Sequence, residues 1–261
     1  MSLFHNFKNT NIHYTDEGSG SAVILFHGFL EDSSMWNTLI PELTKKNRVI
    51  TIDLLGHGKT GSLGYFHTME DMANSVKAVL KHLGLRKYTF IGHSMGGYVA
   101  LAFAKLYPES IKGLCLLNST YEADDIERKA LRARANKMVQ NNYENMVMMS
   151  FANLFSAESK LKYKDAFNAA LEVALKTPVQ GYMAANEGMR IREDLSDFFA
   201  NATFKKTVLL GKKDTILDAN AILKFTQKHT IETHVFSEGH MSHIENSKKF
   251  ITEIVQFIEK K

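Results

Sequence analysis

The chain has 261 residues, of which 44% are hydrophobic and 23% charged, and its formal net charge is +4. That length lies at the upper end of what one hydrophobic core holds, so one main domain with room for an inserted subdomain is expected. The composition points away from a disordered or membrane-spanning chain, and the small charge with scattered lysines argues against nucleic acid as a partner.

In chain order, Leu3 to Phe7 and Ile12 to Asp16 are short, polar-interleaved segments around Lys8-Asn9, the pattern of an antiparallel hairpin at a sheet edge. The first twenty residues lack the apolar stretch of a secretory signal. The run Ala22 to Phe26 is too short to span a bilayer, so a cytoplasmic location without membrane insertion is expected. Ala22 to Phe26, Val49 to Ile52, Tyr88 to Ile91, Ile111 to Leu117, Thr207 to Leu210 and Thr233 to Phe236 are apolar runs of strand length. Most read as strands buried on both faces. Helical periodicity is clearest over Met69 to Leu83 and Met95 to Leu106, and Gly84 and Pro108 stand where helix stops belong. Strands alternating with amphipathic helices predict an α/β fold with a mostly parallel central sheet flanked by helices. Cys115, the single cysteine, lies in an apolar run and is expected in the core.

From about Ser119 to Arg190 the strand signal disappears, and the chain becomes helical, charged and rich in Met and Phe. Alternation resumes at Thr207. The expected organisation is a core formed by residues 1–118 and 191–261, interrupted by a helical cap insertion over 119–190. Within the insertion, the basic run from Arg128 to Arg134 carries apolar residues at helical spacing. A solvated helix face is favoured there over a site for an anionic substrate.

The chemistry centres on Gly92-His93-Ser94-Met95-Gly96, a GxSxG run joining a predicted strand to a predicted helix. The glycines remove side chains that would collide at a sharp turn, and the helix amino terminus beside Ser94 favours negative charge. A serine hydroxyl needs a base, and the base needs an orienting group. His240, on the loop after the last predicted strand, is the candidate base, with His243 as its competitor. Asp214, after the strand at Val208 to Leu210, is the candidate acid. Asp218 is assigned to the following helix, and Asp124 or Asp125 is an alternative acid. The order Ser, Asp, His is the one a strand–helix hydrolase uses. Two backbone amides should bind the oxyanion, and the candidates are Met95, after the nucleophile, and Phe29, in the loop His27-Gly28-Phe29. His27 and the Asp53 to Gly58 segment are read as loop chemistry. No metal-ligand pattern is present among the 11 histidines, and no cofactor or metal is expected.

His27-Gly28-Phe29, Asp53 to Gly58, Gly92 to Gly97, Gly188 to Asp194, Gly211 to Asp214 and Gly239-His240 together resemble the α/β-hydrolase superfamily. The resemblance is to its capped serine hydrolases, related to carboxylesterases and enol-lactone hydrolases, and it spans nearly the whole chain. It implies Ser94, Asp214 and His240 as a triad and the amides of Phe29 and Met95 as oxyanion donors. Where many relatives carry proline in the Arg-x-Asp return segment, this chain has Glu193. Serine at the nucleophile position disfavours the epoxide and carbon-halogen chemistry of relatives with aspartate there. The implied activity is cleavage of a small-molecule ester through an acyl-enzyme on Ser94. The alternatives are carbon-carbon or enol-lactone hydrolysis by the same triad, and a ligand-binding module with vestigial hydrolysis.

Overall fold

The computed structural model describes residues 2–260. Eight strands form one sheet: β1 (Leu3–Phe7), β2 (Thr10–Gly18), β3 (Ser21–Phe26), β4 (Asn47–Ile52), β5 (Tyr88–His93), β6 (Ile111–Leu117), β7 (Lys205–Gly211) and β8 (Glu232–Phe236). Their spatial order is β1-β2-β4-β3-β5-β6-β7-β8. The β1–β2 hairpin turns through Lys8 and Asn9, whose φ values of 48° and 64° are those of a two-residue type I′ turn. β2 also pairs antiparallel with β4, and every later pairing is parallel. The chain leaves β3 to one side for β4 and crosses back to the other for β5, so the loops after β3 and β5 face each other. Ligands of open α/β sheets bind at such a reversal, outside the carboxyl ends of the strands.

The short helix α1 (Ile40–Leu43) lies between β3 and β4. Side-chain alternation divides the core into two layers. Ile24, Phe26, Phe90, Leu114, Leu116, Val208 and Leu210 face one layer, which α2 (Met69–His82) and α3 (Met95–Leu106) complete with Met72, Val76, Val99 and Phe103. The residues between them, Val23, Leu25, Ile91, Cys115, Leu117 and Leu209, pack on Trp36 and on Phe250, Ile254 and Phe257 of the terminal helix Ser247–Glu259. Cys115 is buried there, and burial pushes its thiol well above the ordinary range. Among the described residues, no helix is long and apolar enough to cross a membrane.

Between β6 and β7 the described chain forms helices joined by loops and no strand. Five helices, α4 (Ile126–Met138), α5 (Tyr143–Ala152), α6 (Ala157–Lys162), α7 (Lys164–Leu175) and α8 (Val179–Ile191), precede α9 (Ser196–Asn201). They share an apolar cluster of their own, including Val139, Met146, Val147, Phe151, Phe155 and Tyr182, which reaches the sheet domain through Leu30 and Met241. α8 lies so close to the loop after β4 that a Cβ on Gly181 would fall 2.0 Å from the Gly56 carbonyl oxygen. The two ends of the segment are tied by charge. Asp124, with a fully buried side chain, accepts from Arg132 and, at 2.7 Å, from Arg192 Nη1. The Arg192 guanidinium also lies over the Tyr98 ring, 4.1 Å from its centroid. Glu193 stands outside this cluster, in an exposed pair with Lys105, a contact worth about 0–1 kcal/mol.

Asp124→Ala leaves Arg192 buried without a counter-charge and is expected to lower unfolding free energy by about 3–5 kcal/mol; chemical denaturation measures it. His57 and His67 are fully buried, and burial lowers their pKa from 6.5 to about 3 and about 4. His67 Nε2 accepts from the Leu63 N–H, which requires the neutral ring. The unfolded chain takes up these protons near 6.5 and the folded chain only far below. The stability that these two neutral rings contribute is therefore complete above about pH 6.5 and falls progressively as the pH drops toward their folded values of about 4 and about 3. Thermal melts across that interval should show most of the loss below about pH 6.5.

Candidate active site

β5 ends at His93 and α3 begins at Met95, which leaves Ser94 alone to make the turn. Its backbone sits at φ 48°, ψ −116°, a region that side-chain-bearing residues rarely occupy. The surroundings enforce it. Ser94 N–H donates to Leu117 O at 2.9 Å, and the Ser119 hydroxyl donates to Ser94 O at 2.7 Å. Gly92 and Gly96 permit the contact, because a Cβ on either would meet a backbone carbonyl oxygen at 2.4 Å.

Asp214 and His240 follow β7 and β8 and reach the same sheet edge. His240 Nε2 lies 3.0 Å from Ser94 Oγ, and His240 Nδ1 lies 2.7 Å from Asp214 Oδ2. Asp214 is fixed from its other side by the Ile216 and Leu217 N–H groups on Oδ1, at 2.7 and 3.0 Å, and by Asn118 Nδ2 on Oδ2, at 3.0 Å. Burial alone would raise its pKa. The charge and hydrogen bond of His240, with the bonds from Asn118 and Ile216, outweigh burial and hold the carboxyl below its ordinary value. The three expected residues are therefore in one hydrogen-bonded line.

Phe29 lines the cavity above Ser94, and the next residue, Leu30, has φ 64°, so this loop too is held in an unusual backbone conformation. Met95 is buried at the first position of α3, where helix amides have no intrahelical acceptor.

The other candidates lie elsewhere. Asp218 caps the helix Ala219–Lys228, and Asp125 caps α4. Asp124 belongs to the arginine cluster. His27 Nε2 accepts from Leu54 N–H at 2.9 Å, a loop bond. Asp53 organises loops by accepting from Ser33 and Lys59 N–H and bonding His13.

One group is absent from the sequence reading. The buried Glu31 carboxylate accepts from Gly28 N–H at 2.6 Å and lies 2.7 Å from His93 Nδ1, while His93 Nε2 lies 3.1 Å from the His240 carbonyl. It thus ties the Phe29 loop, the serine turn and the His240 loop together from beneath. Burial would raise the Glu31 pKa, but the His93 charge and hydrogen bond lower it to about 2. Burial would lower His93, and Glu31 raises it instead, so the two form a buried ion pair. His243 packs its ring edge on His93, 5.6 Å between centroids, and burial lowers its pKa to about 4. Metal-ligating atoms of Glu31, His93 and His243 lie within 4.8 Å of one another, but Glu31 Oε2 and both His93 nitrogens are already engaged in the hydrogen bonds just described. The sequence signal was available: a histidine inside the GxSxG run and an acid three residues beyond Gly28. Asn118, at φ 43° after β6, was missed for want of any local motif.

The cavity over Ser94 has a volume of about 290 Å³. Ser94, Tyr98 and His240 form its floor side, and α4, α5 and α8 contribute Arg128, Leu131, Arg132, Ser150, Tyr182, Asn186 and Met189. The basic run on α4 is thus divided: Arg128 and Arg132 line this cavity, and Arg134 is exposed. A larger hollow of about 490 Å³, between α7 and the Asp32 to Thr38 segment, includes neither Ser94 nor His240.

Comparison with known proteins agrees with this architecture. A thermophilic esterase from Thermogutta terrifontis, solved with malate bound, superposes with a TM-score of 0.92 at 28% identity, over 100% of this chain and 98% of that one. The 3-oxoadipate enol-lactonase 1 of Acinetobacter baylyi is 24% identical over 99% of both chains. The dihydrolipoyllysine-residue acetyltransferase component of the acetoin cleaving system of Pseudomonas putida is 28% identical over 92% of this chain, which spans 64% of that protein's length. Since the family model described as alpha/beta hydrolase fold matches residues 21–247, the chain belongs to the α/β-hydrolase family.

Proposed function

We propose that the protein is a serine hydrolase that cleaves a carboxylic ester of small to medium size through an acyl-enzyme on Ser94. The observation that carries this reading is the line from Ser94 Oγ through His240 to Asp214, opening into the cavity. His240 Nε2 takes the hydroxyl proton as Oγ attacks the carbonyl carbon, and Asp214 stabilises the imidazolium. The tetrahedral oxyanion is bound by the Phe29 and Met95 amides, and His240 returns the proton to the departing alcohol. A water molecule deprotonated by His240 then releases the acid.

The helical segment over residues 119–190 acts as the cap that shapes the substrate cavity. A lactone is an internal ester and opens by the same steps, and the full-length similarity to an enol-lactonase supports including it.

Wild-type protein should take up a fluorophosphonate probe, and Ser94→Ala should not, with ester turnover reduced by about 10⁴-fold or more. An unlabelled wild type, or an equally labelled variant, overturns the assignment. Glu31 acts through the loops it ties and is a positioning residue. Glu31→Gln keeps its shape and removes its charge; kcat is expected to fall by about 10- to 100-fold, through displacement of the Phe29 and Ser94 backbones, with KM moving less. Steady-state kinetics separate the two parameters.

A further inference from the structure

We propose that the ester carries a free carboxylate, bound by Arg128 and Arg132 on the α4 wall of the Ser94 cavity. This rests on the reading of Ser94 as the acylated residue and names the substrate class for that site.

The argument starts from charge. The cavity wall contains two guanidinium groups, Arg128 and Arg132, and no Asp or Glu side chain. Arg132 does have a carboxylate partner, Asp124, but shares it with Arg192, so two cations face one anion. Its Nη1 is spent on Asn186 Oδ1 at 3.0 Å. Arg128 forms no ion pair among the described residues; it donates through Nη2 to the carbonyl of Ile216, in the loop that carries Asp214. The acids near Arg128, among them Asp124, Asp125, Asp194 and Asp218, line a separate hollow and not this one. A half-enclosed cavity with guanidinium groups and no carboxylate on its own wall favours anions over cations.

Arg132 also serves the buried Asp124 cluster, whereas the Arg128 guanidinium has only the Ile216 carbonyl as a partner among the described residues. No residue of α4 is fully buried, and its apolar residues Ile126 and Leu131 are 89% and 52% exposed. The arginines stand four residues apart, on one helix face. That face is the one turned to the cavity. A planar guanidinium fork suits a carboxylate, which can accept two N–H donors at once. The cavity volume of about 290 Å³ favours a compact anion over a long acyl chain.

The test compares kcat/KM for p-nitrophenyl butyrate, mono-p-nitrophenyl glutarate and 4-carboxyphenyl butyrate, which carry no carboxylate, one on the acyl side and one on the alcohol side. One carboxylated ester is expected to exceed the neutral ester by about tenfold or more, and Arg128→Gln to reduce that ratio by about 10- to 100-fold. Added salt should lower the ratio in the wild type. A second readout needs no turnover: glutarate, but not glutaramide, should slow fluorophosphonate labelling of Ser94, and Arg128→Gln should abolish the protection. Preference for the neutral ester, a ratio unchanged in Arg128→Gln, or absence of glutarate protection overturns the inference while leaving the serine hydrolase intact. Equal protection by inorganic phosphate overturns the carboxylate assignment in favour of a general anion site. Failure of Ser94 to label overturns the serine reading and this inference together.

Discussion

The backbone at Ser94 is the constraint on which the rest of the site depends. A side-chain-bearing residue at φ 48° is strained, and it persists because the sheet leaves it no alternative. β6 holds its amide, Ser119 holds its carbonyl, and Gly96 lets the first turn of α3 press on the end of β3. The same contact that strains the turn brings the loop after β3 beside the serine. Removing the strain would also remove the approach of the two loops that an oxyanion site requires.

Two buried charge clusters then divide the remaining tasks. The Glu31–His93 pair lies beneath the serine turn and fastens three loops to each other. The Asp124–Arg132–Arg192 cluster closes the helical segment on itself, since Asp124 stands near its start and Arg192 just beyond its last helix. Buried ion pairs add little net stability over well-packed apolar groups. Their value here is geometric, because each joins segments far apart in sequence and leaves the charges nowhere else to go. The second cluster also has an excess of cation, which appears on the cavity wall as Arg132.

The helical segment serves packing and the cavity at once. Met146, Phe151 and Phe155 are consumed by its own apolar cluster, whereas Met148 and Met149 remain exposed. Its richness in Met and Phe therefore says little about the apolar character of a ligand. The cavity side combines apolar residues such as Leu131, Leu154, Ile216 and Met189 with the polar and cationic Ser150, Asn186, Arg128 and Arg132.

Much of the fold was legible along the chain because the strands are short, continuous apolar runs and the helices keep a clear period. The ends of β1, α3 and β6 coincide with the expected segments, and α2 stops one residue short of Leu83, which caps it. Ser94, Asp214 and His240 were found because each lies on the turn or loop that follows a strand, and parallel strands deliver their carboxyl ends to one edge. Glu31, Asn118 and the division of the α4 arginines were not legible in that way. Their roles come from contacts between residues 62 and 96 positions apart, as in Glu31 with His93 and Asn118 with Asp214, and from which face of α4 turns inward. Local periodicity determines strands, helices and the order of strand-end residues, because those depend on neighbours in the chain. Charge pairing and cavity lining were decided by the tertiary structure alone, because they depend on which loops the sheet order brings together.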